Sequence, residues 1–256
     1  MTIDPKADPV GQAGVGRLGL CSGCSFYPDY LNQGRCTPGD ACIRAHSGRQ
    51  IDRFLRANPE LAPNYLADIF WERRAIAARY AAVDAIFCLK SDVDEVVRRV
   101  VATRLPVDQL ITMIHDPDRE VRLSVAARLP ESLLIQLLDD PDYLIRATVA
   151  RRLPHGQLAK MHKDAEREVR KVVAARLPAF ALHMLADDPE PEVRAIVAER
   201  ALPSLAAMLL QDSEWWVRLA AVGNAPIEFL PALISDPEIE IRDAVQARLA
   251  DQKSVQ

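Results

Sequence analysis

Eight arginines, Arg74, Arg98, Arg122, Arg146, Arg170, Arg194, Arg218 and Arg242, recur at one constant interval without a break. Six residues before each stands an aspartate: Asp68, Asp92, Asp116, Asp140, Asp164, Asp188, Asp212 and Asp236. A proline follows eight residues later in most copies, at Pro106, Pro130, Pro154, Pro178 and Pro226. No other feature constrains the fold as tightly. A unit this small cannot bury its own apolar face, so neighbours must stack into a solenoid.

The copy "DPDREVRLSVAARLPESLLIQLLD" shows how each unit is built. Asp116 is expected as a helix N-cap with Pro117 at the first helical position, where a missing N–H costs nothing. Val121, Val125 and Leu129 fall at i, i+4 and i+8, one apolar stripe of an α-helix. Pro130 then stops the helix, giving a predicted length of about 13 residues, or roughly 20 Å. The remaining segment, "ESLLIQLLD", is short, and in the last full copy Pro231 falls inside it. A regular α-helix would lose about 3 kcal/mol there, so a tight turn or 3₁₀ helix is expected instead. Ala78, Ala102, Ala126, Ala150, Ala174 and Ala198 form a column of small residues beside the stripe, where adjacent helices can approach.

Four of the five cysteines crowd into the N-terminal end: Cys21, Cys24, Cys36 and Cys42, in the pattern C-x₂-C-x₁₁-C-x₅-C. The first pair can grip one metal centre from a tight turn supplied by Ser22 and Gly23. Four thiolates suit either tetrahedral zinc or an iron–sulfur cluster. Zinc ribbons usually carry two C-x₂-C knuckles, whereas the wider second pair here suits a larger group; Phe26, Tyr27 and Tyr30 could shield it. The residues themselves leave the two metals open. Cys88, among apolar neighbours, reads as a small buried hydrophobe. His46, four residues after Cys42, could share a helix face with it but reads as an ordinary surface histidine.

The repeat unit resembles the leucine-rich repeat variant family over about residues 68–250. That resemblance implies an all-α, right-handed superhelical solenoid of α-helix plus short 3₁₀ helix, without a sheet. A cysteine module ahead of such repeats is similar to the family's iron–sulfur module. It implies a 4Fe–4S cluster held by Cys21, Cys24, Cys36 and Cys42, and an association with nitrogen fixation. The expected organisation is a cluster domain at 1–58 and a solenoid of about eight repeats at 59–256. Two copies depart from the pattern: the one at Arg74 lacks the terminal proline, and the one at Arg218 has Asn224 where Arg128, Arg152 and Arg176 stand.

The rest is read from charge and from what is missing. Net charge is −4, and the segment 1–20 has neither a basic start nor an apolar core, so no secretory leader is expected. No run of about 18 apolar residues predicts a membrane span, and a cytoplasmic protein is expected, where clustered cysteines bind metal rather than pair. The arginine ladder faces an equal ladder of aspartates, which reads as internal ion pairing and capping and argues against a phosphate track. No catalytic triad, phosphate loop or carboxylate pair rises above the repeats, so no enzyme is expected. The leading expectation is a cluster-bearing scaffold for an unidentified protein partner. A redox, oxygen-sensing or electron-transfer protein and a nucleic-acid-binding solenoid are the alternatives. Adjacent Trp215 and Trp216 cannot both face inward, which makes one a candidate partner anchor. Phe54, Leu55, Tyr65, Phe70 and Trp71 are expected to pack the cluster domain on the first repeats.

Overall fold

The computed structural model describes residues 19–255, with side chains described as far as 251. Most of the segment read as lacking a leader therefore lies outside the described residues, as do the side chains of the polar tail beyond 251. The chain forms two compact units, one ending at Arg128 and the other starting at Leu129. Among the described residues the structure is helical, and its only bridge of β type is the isolated Thr37–Ala41 pair. No helix of the described residues is long and apolar enough to cross a membrane.

In the first unit the repeat helices are Trp71–Tyr80, Glu95–Arg104 and Arg119–Arg128. In the second they include Tyr143–Arg152, Arg167–Arg176, Pro191–Arg200 and Trp215–Val222. Most span ten residues, shorter than the sequence predicts, because the helix starts later than expected. Asp116 is not the cap. The cap falls two residues further on, where Asp94 and Asp142 accept the N–H groups of Val96 and Leu144. Asp116 instead accepts the backbone N–H of Asp118 and the Nε and Nη2 donors along one edge of the Arg98 guanidinium.

The second segment is 3₁₀ throughout at Glu131–Leu137, Ala179–Leu185 and Ile227–Leu233, as the sequence predicts; in three other copies one α-helical turn, Val83–Ile86, Val107–Leu110 or His155–Leu158, tightens into 3₁₀ at Phe87–Ser91, Ile111–Met113 or Ala159–Met161. Ile227–Leu233 accommodates Pro231, which a short 3₁₀ helix tolerates better than an α-helix interior does. Where the proline is delayed to Pro203, the segment becomes the α-helix Pro203–Leu209.

The predicted stripe forms the core, with Val121, Val125, Val169, Val173, Val193 and Val197 fully buried. Two recurring polar devices hold the repeats in register. In the first, Arg146, Arg170, Arg194 and Arg218 each clamp an aspartate of the following repeat through Nε and Nη2, at 2.7–3.0 Å. Arg74 and Arg98 do the same with Asp92 and Asp116. The remaining Nη1 donates to a carbonyl at the start of its own repeat, as from Arg170 to Asp164. In the second device, the arginine at the end of one helix donates to the last carbonyls of the helix before it. Arg128 reaches Ala102 and Leu105, and Arg176 reaches Ala150 and Leu153. A cation suits that end of the helix dipole. Asn224 does the same work with an amide, donating to Ala198 at 3.1 Å and Glu199 at 2.8 Å.

The alanine column is completely buried at Ala78, Ala102, Ala126, Ala150, Ala174 and Ala198. In most copies a guanidinium from the next repeat closes over its carbonyl. Ala150→Leu should therefore overpack the stack and lower stability by about 1–3 kcal/mol. An unchanged urea midpoint would show that the column has room to spare.

Candidate metal centre

The four clustered cysteines lie in short irregular segments made possible by glycine. Gly23 has φ +68° inside the turn between Cys21 and Cys24, a conformation other residues rarely adopt. That turn is closed by the Cys24 N–H donating to the Cys21 carbonyl at 3.1 Å. The Cys36–Cys42 loop is pinned at its neck by reciprocal hydrogen bonds between Thr37 and Ala41, both 2.9 Å. Its tip turns at Gly39, φ +79°, whose carbonyl accepts from the Gln50 side chain. The Cys42 N–H donates to the Gln50 carbonyl at 3.1 Å, which fixes the loop to the helix Gly48–Ala57.

These turns bring all four thiols to one cavity, lined otherwise mainly by Leu20, Phe26, Tyr27, Ile43 and Phe54. Cys42 is buried and the other three are half-buried. Burial pushes the Cys21 and Cys36 thiols up, and the neighbouring thiols push further in the same direction. Arg44 works against them at Cys21, a cation placed beside the negative charge that four thiolates would bring. Among the described residues, no three His, Cys, Asp or Glu side chains meet closely enough to hold a single metal ion. Four thiols lining one cavity are a donor set that either an iron–sulfur cluster or zinc can take.

Aromatic packing supports the cavity from one side. Phe26 lies 4.8 Å from Tyr30 and 5.5 Å from Phe54, centroid to centroid. Tyr65 sits close enough to feel Cys24, and burial is the first cause that pushes its hydroxyl to about 12. Of the shielding residues expected from sequence, Phe26 and Tyr27 line the cavity while Tyr30 backs it. Sequence does not point to Arg44 as a neighbour of the thiols, nor to Phe54 as part of the cavity wall. Arg44 carries a faint signal, two residues after Cys42; Phe54 has none beyond its place in an amphipathic helix.

One expectation about a single residue fails, at Cys88, while His46 is the surface histidine that its sequence context predicts. Cys88 is exposed, in the 3₁₀ helix Phe87–Ser91, with its Sγ 3.4 Å from the Ala85 carbonyl. Flanking Leu89 turns inward and Phe87 is half-buried, because three residues per turn leave one in three facing out. His46 shares no helix with Cys42, since residues 43–47 are not helical. It is exposed and sits edge-on to Phe70 at 6.2 Å.

The cysteine segment is joined to the first repeat within its unit. Asp52 accepts from the Tyr80 hydroxyl at 2.8 Å, and Arg56 Nε donates to the same hydroxyl at 3.3 Å. The Glu72 carboxylate lies over the start of the helix Gly48–Ala57, so near that a Cβ at Gly48 would meet it at 3.1 Å. A carboxylate there answers the orphan N–H groups and the dipole of that helix. Phe54 and Leu55 are buried and Tyr65 and Phe70 half-buried, whereas Trp71 is exposed.

Comparison with known proteins places this arrangement. Residues 15–64 match the family model described as the FeS4 cluster of LRV proteins. A solved structure described as a leucine-rich repeat variant with a novel repetitive protein structural motif is 54% identical. It superposes with a TM-score of 0.85 over 89% of this chain and 97% of its own. An uncharacterized 27.7 kDa protein in the nifB 3' region of Rhodobacter capsulatus is 38% identical over 85 residues. That match spans 33% of this chain and 34% of the relative, about a third of each.

Proposed function

The chain belongs to the leucine-rich repeat variant family and carries its iron–sulfur domain, whose cofactor is a 4Fe–4S cluster; from that premise we propose that Cys21, Cys24, Cys36 and Cys42 each give one thiolate to the cluster, and that the whole is a scaffold for binding a partner protein. The convergence of four thiols on one mainly apolar cavity supports the ligand assignment. The cluster's chemistry there is to tie together a module too small to build much core of its own. The module ends near Asn58, which is fully buried and donates to the carbonyls of Arg35 and Phe54 at 2.9 and 2.8 Å; the solenoid of about eight repeats follows from 59. The scaffold is not an enzyme on this reading, and it works in the cytoplasm. The position of the Rhodobacter relative favours a setting in nitrogen fixation.

Anaerobically purified protein should hold iron and acid-labile sulfide near four each per chain. Cys42→Ser and Cys21→Ser should lose the brown chromophore, while Cys88→Ser, at an exposed position away from the cavity, should keep it. One zinc per chain without sulfide would overturn the assignment. Electron transfer is the competing role, favoured by the half-buried state of three of the thiols. Voltammetry separates the two: a reversible one-electron couple in the range of iron–sulfur proteins supports electron transfer, and its absence supports the scaffold.

A further inference from the structure

The helices Pro191–Arg200, Trp215–Val222 and Ile239–Val255 pack one against the next within the second unit. Equivalent positions of successive repeats therefore form columns across their first turns. One column reads Glu192, Trp216, Glu240. Earlier copies mostly carry glutamate at this position too: Glu72, Glu120 and Glu168. Glutamate in a first turn is explained by the helix dipole. Tryptophan is not, for it forgoes that gain and exposes a large ring.

Trp215 and Trp216 are 37% and 38% exposed, and their rings meet edge to face with centroids 5.9 Å apart. Ile239, in the next copy of the Trp215 position, is 56% exposed. Both tryptophans thus reach solvent, more than the one expected from sequence. The surroundings are acidic. Glu190 and Glu214 are the N-caps of the first two helices, and Glu238 immediately precedes the third. Glu192 and Glu240 are exposed on either side of Trp216. Among the nearby cations, Arg194 and Arg218 are clamped on Asp212 and Asp236 and Arg242 holds the carbonyls of Asp236 and Pro237, while Arg167 pairs with Glu190 and Glu192 at 3.6 and 3.7 Å, at the far edge of the patch. Among the described residues no guanidinium or ammonium stands over either indole ring.

We propose that the Trp215–Trp216 pair and its rim of glutamates form the docking surface for an arginine- or lysine-bearing segment of a partner protein. The charge around the rings selects the occupant. An indole face attracts a cation most strongly among the aromatic side chains, and the carboxylates on three adjacent helix ends, only the outer two of which pair with Arg167, draw a basic chain and repel an acidic one. Exposed paired tryptophans also match the residue type that dominates interface energetics. The proposal gives the scaffold reading its surface and rests on it for the partner being a protein.

The test uses the intact, cluster-loaded chain with Trp71→Phe. The sequence holds three tryptophans, so emission then comes from the patch alone. The probe is a twelve-residue peptide of alternating arginine and glycine, with an alternating glutamate and glycine peptide as control. The basic peptide should bind and shift the emission, more weakly as salt rises, and the acidic one should not. Trp216→Glu restores the residue usual at that position, so the helix should tolerate it. It adds a negative charge, yet it should weaken binding about tenfold through loss of the cation–π contact. The double variant Glu192→Gln/Glu240→Gln keeps both rings and should weaken binding about threefold through lost attraction. Equal or tighter binding by Trp216→Glu would overturn the proposal, because general acidity would then suffice. So would no binding by the parent at low salt. Neither result bears on the scaffold reading, which stands or falls by voltammetry.

Discussion

Arg170→Met should lower the stability of the second unit by about 3–5 kcal/mol, the range for breaking a buried ion pair by removing one partner. The side chains of Arg170 and Asp188 are 9% and 2% exposed, and the pair is joined by two parallel bonds of 2.7 and 3.0 Å. Removing the guanidinium would leave the Asp188 carboxylate in the interior, held by the Glu190 N–H at 3.0 Å. It would also release the carbonyls of Asp164 and Ala165, both held by Arg170 Nη1. Urea unfolding followed by hydrogen exchange across the helices of the second unit would measure the loss. A change below about 1 kcal/mol would mean that the ladder behaves like a row of surface pairs.

The same ladder sets the acid limb of stability. Hydrogen bonds from Arg218 hold the Asp236 carboxyl below its ordinary value of 3.8, against the opposing effect of burial. At Asp212 burial acts upward most strongly, yet the bonds from Arg194 and the Glu214 N–H together carry the group below that value. A carboxyl depressed on folding contributes stability that is fully present above the unfolded value and is lost as pH falls through the folded one. The urea midpoint should hold steady from neutrality to about pH 4.5 and fall continuously below about pH 4. Reading it in the second unit keeps acid loss of the cluster out of the measurement.

Removing the cluster should have the other large effect, confined to one end. Residues 21–57 should lose hydrogen-exchange protection, by about a hundredfold or more where a metal-dependent module unfolds outright. The helix Trp71–Tyr80 should loosen with it, since Tyr80 and Glu72 would lose their partners at Asp52, Arg56 and the helix start at Gly48. Protection between 143 and 222 should stay as it was. Unchanged exchange around 65–80 would show that the cysteine module is only tethered to the repeats.

The spacing of Arg, Asp, Pro and Ala carries most of the fold, because in a stacked repeat each contact is made again at the same interval. The 3₁₀ segments follow from Pro231, and the cavity from the crowding of four cysteines between Cys21 and Cys42. What escapes the sequence is long-range. Asp116 has every local mark of an N-cap, but Arg98, in the repeat before it, recruits its carboxylate. Local rules see two or three residues ahead and cannot anticipate that partner. Asn224 reads as a defect and is a shorter donor on the same carbonyl. Cys88 is misjudged because a neighbourhood of apolar letters says nothing about which third of a 3₁₀ turn faces water.

The caps that reach back across the repeat boundary bear on heredity. Most of the repeat helices are finished by an arginine or asparagine encoded one repeat downstream, and the clamps need their aspartate in the repeat that follows. A gene built this way cannot gain or lose a few codons inside the array without stranding donors and carbonyls on both sides of the change. Duplication or loss of one whole unit breaks none of these pairings, since every junction it creates is the same junction. Lineages of this protein should therefore differ in length by integral numbers of repeats, with smaller insertions confined to the segment ahead of them.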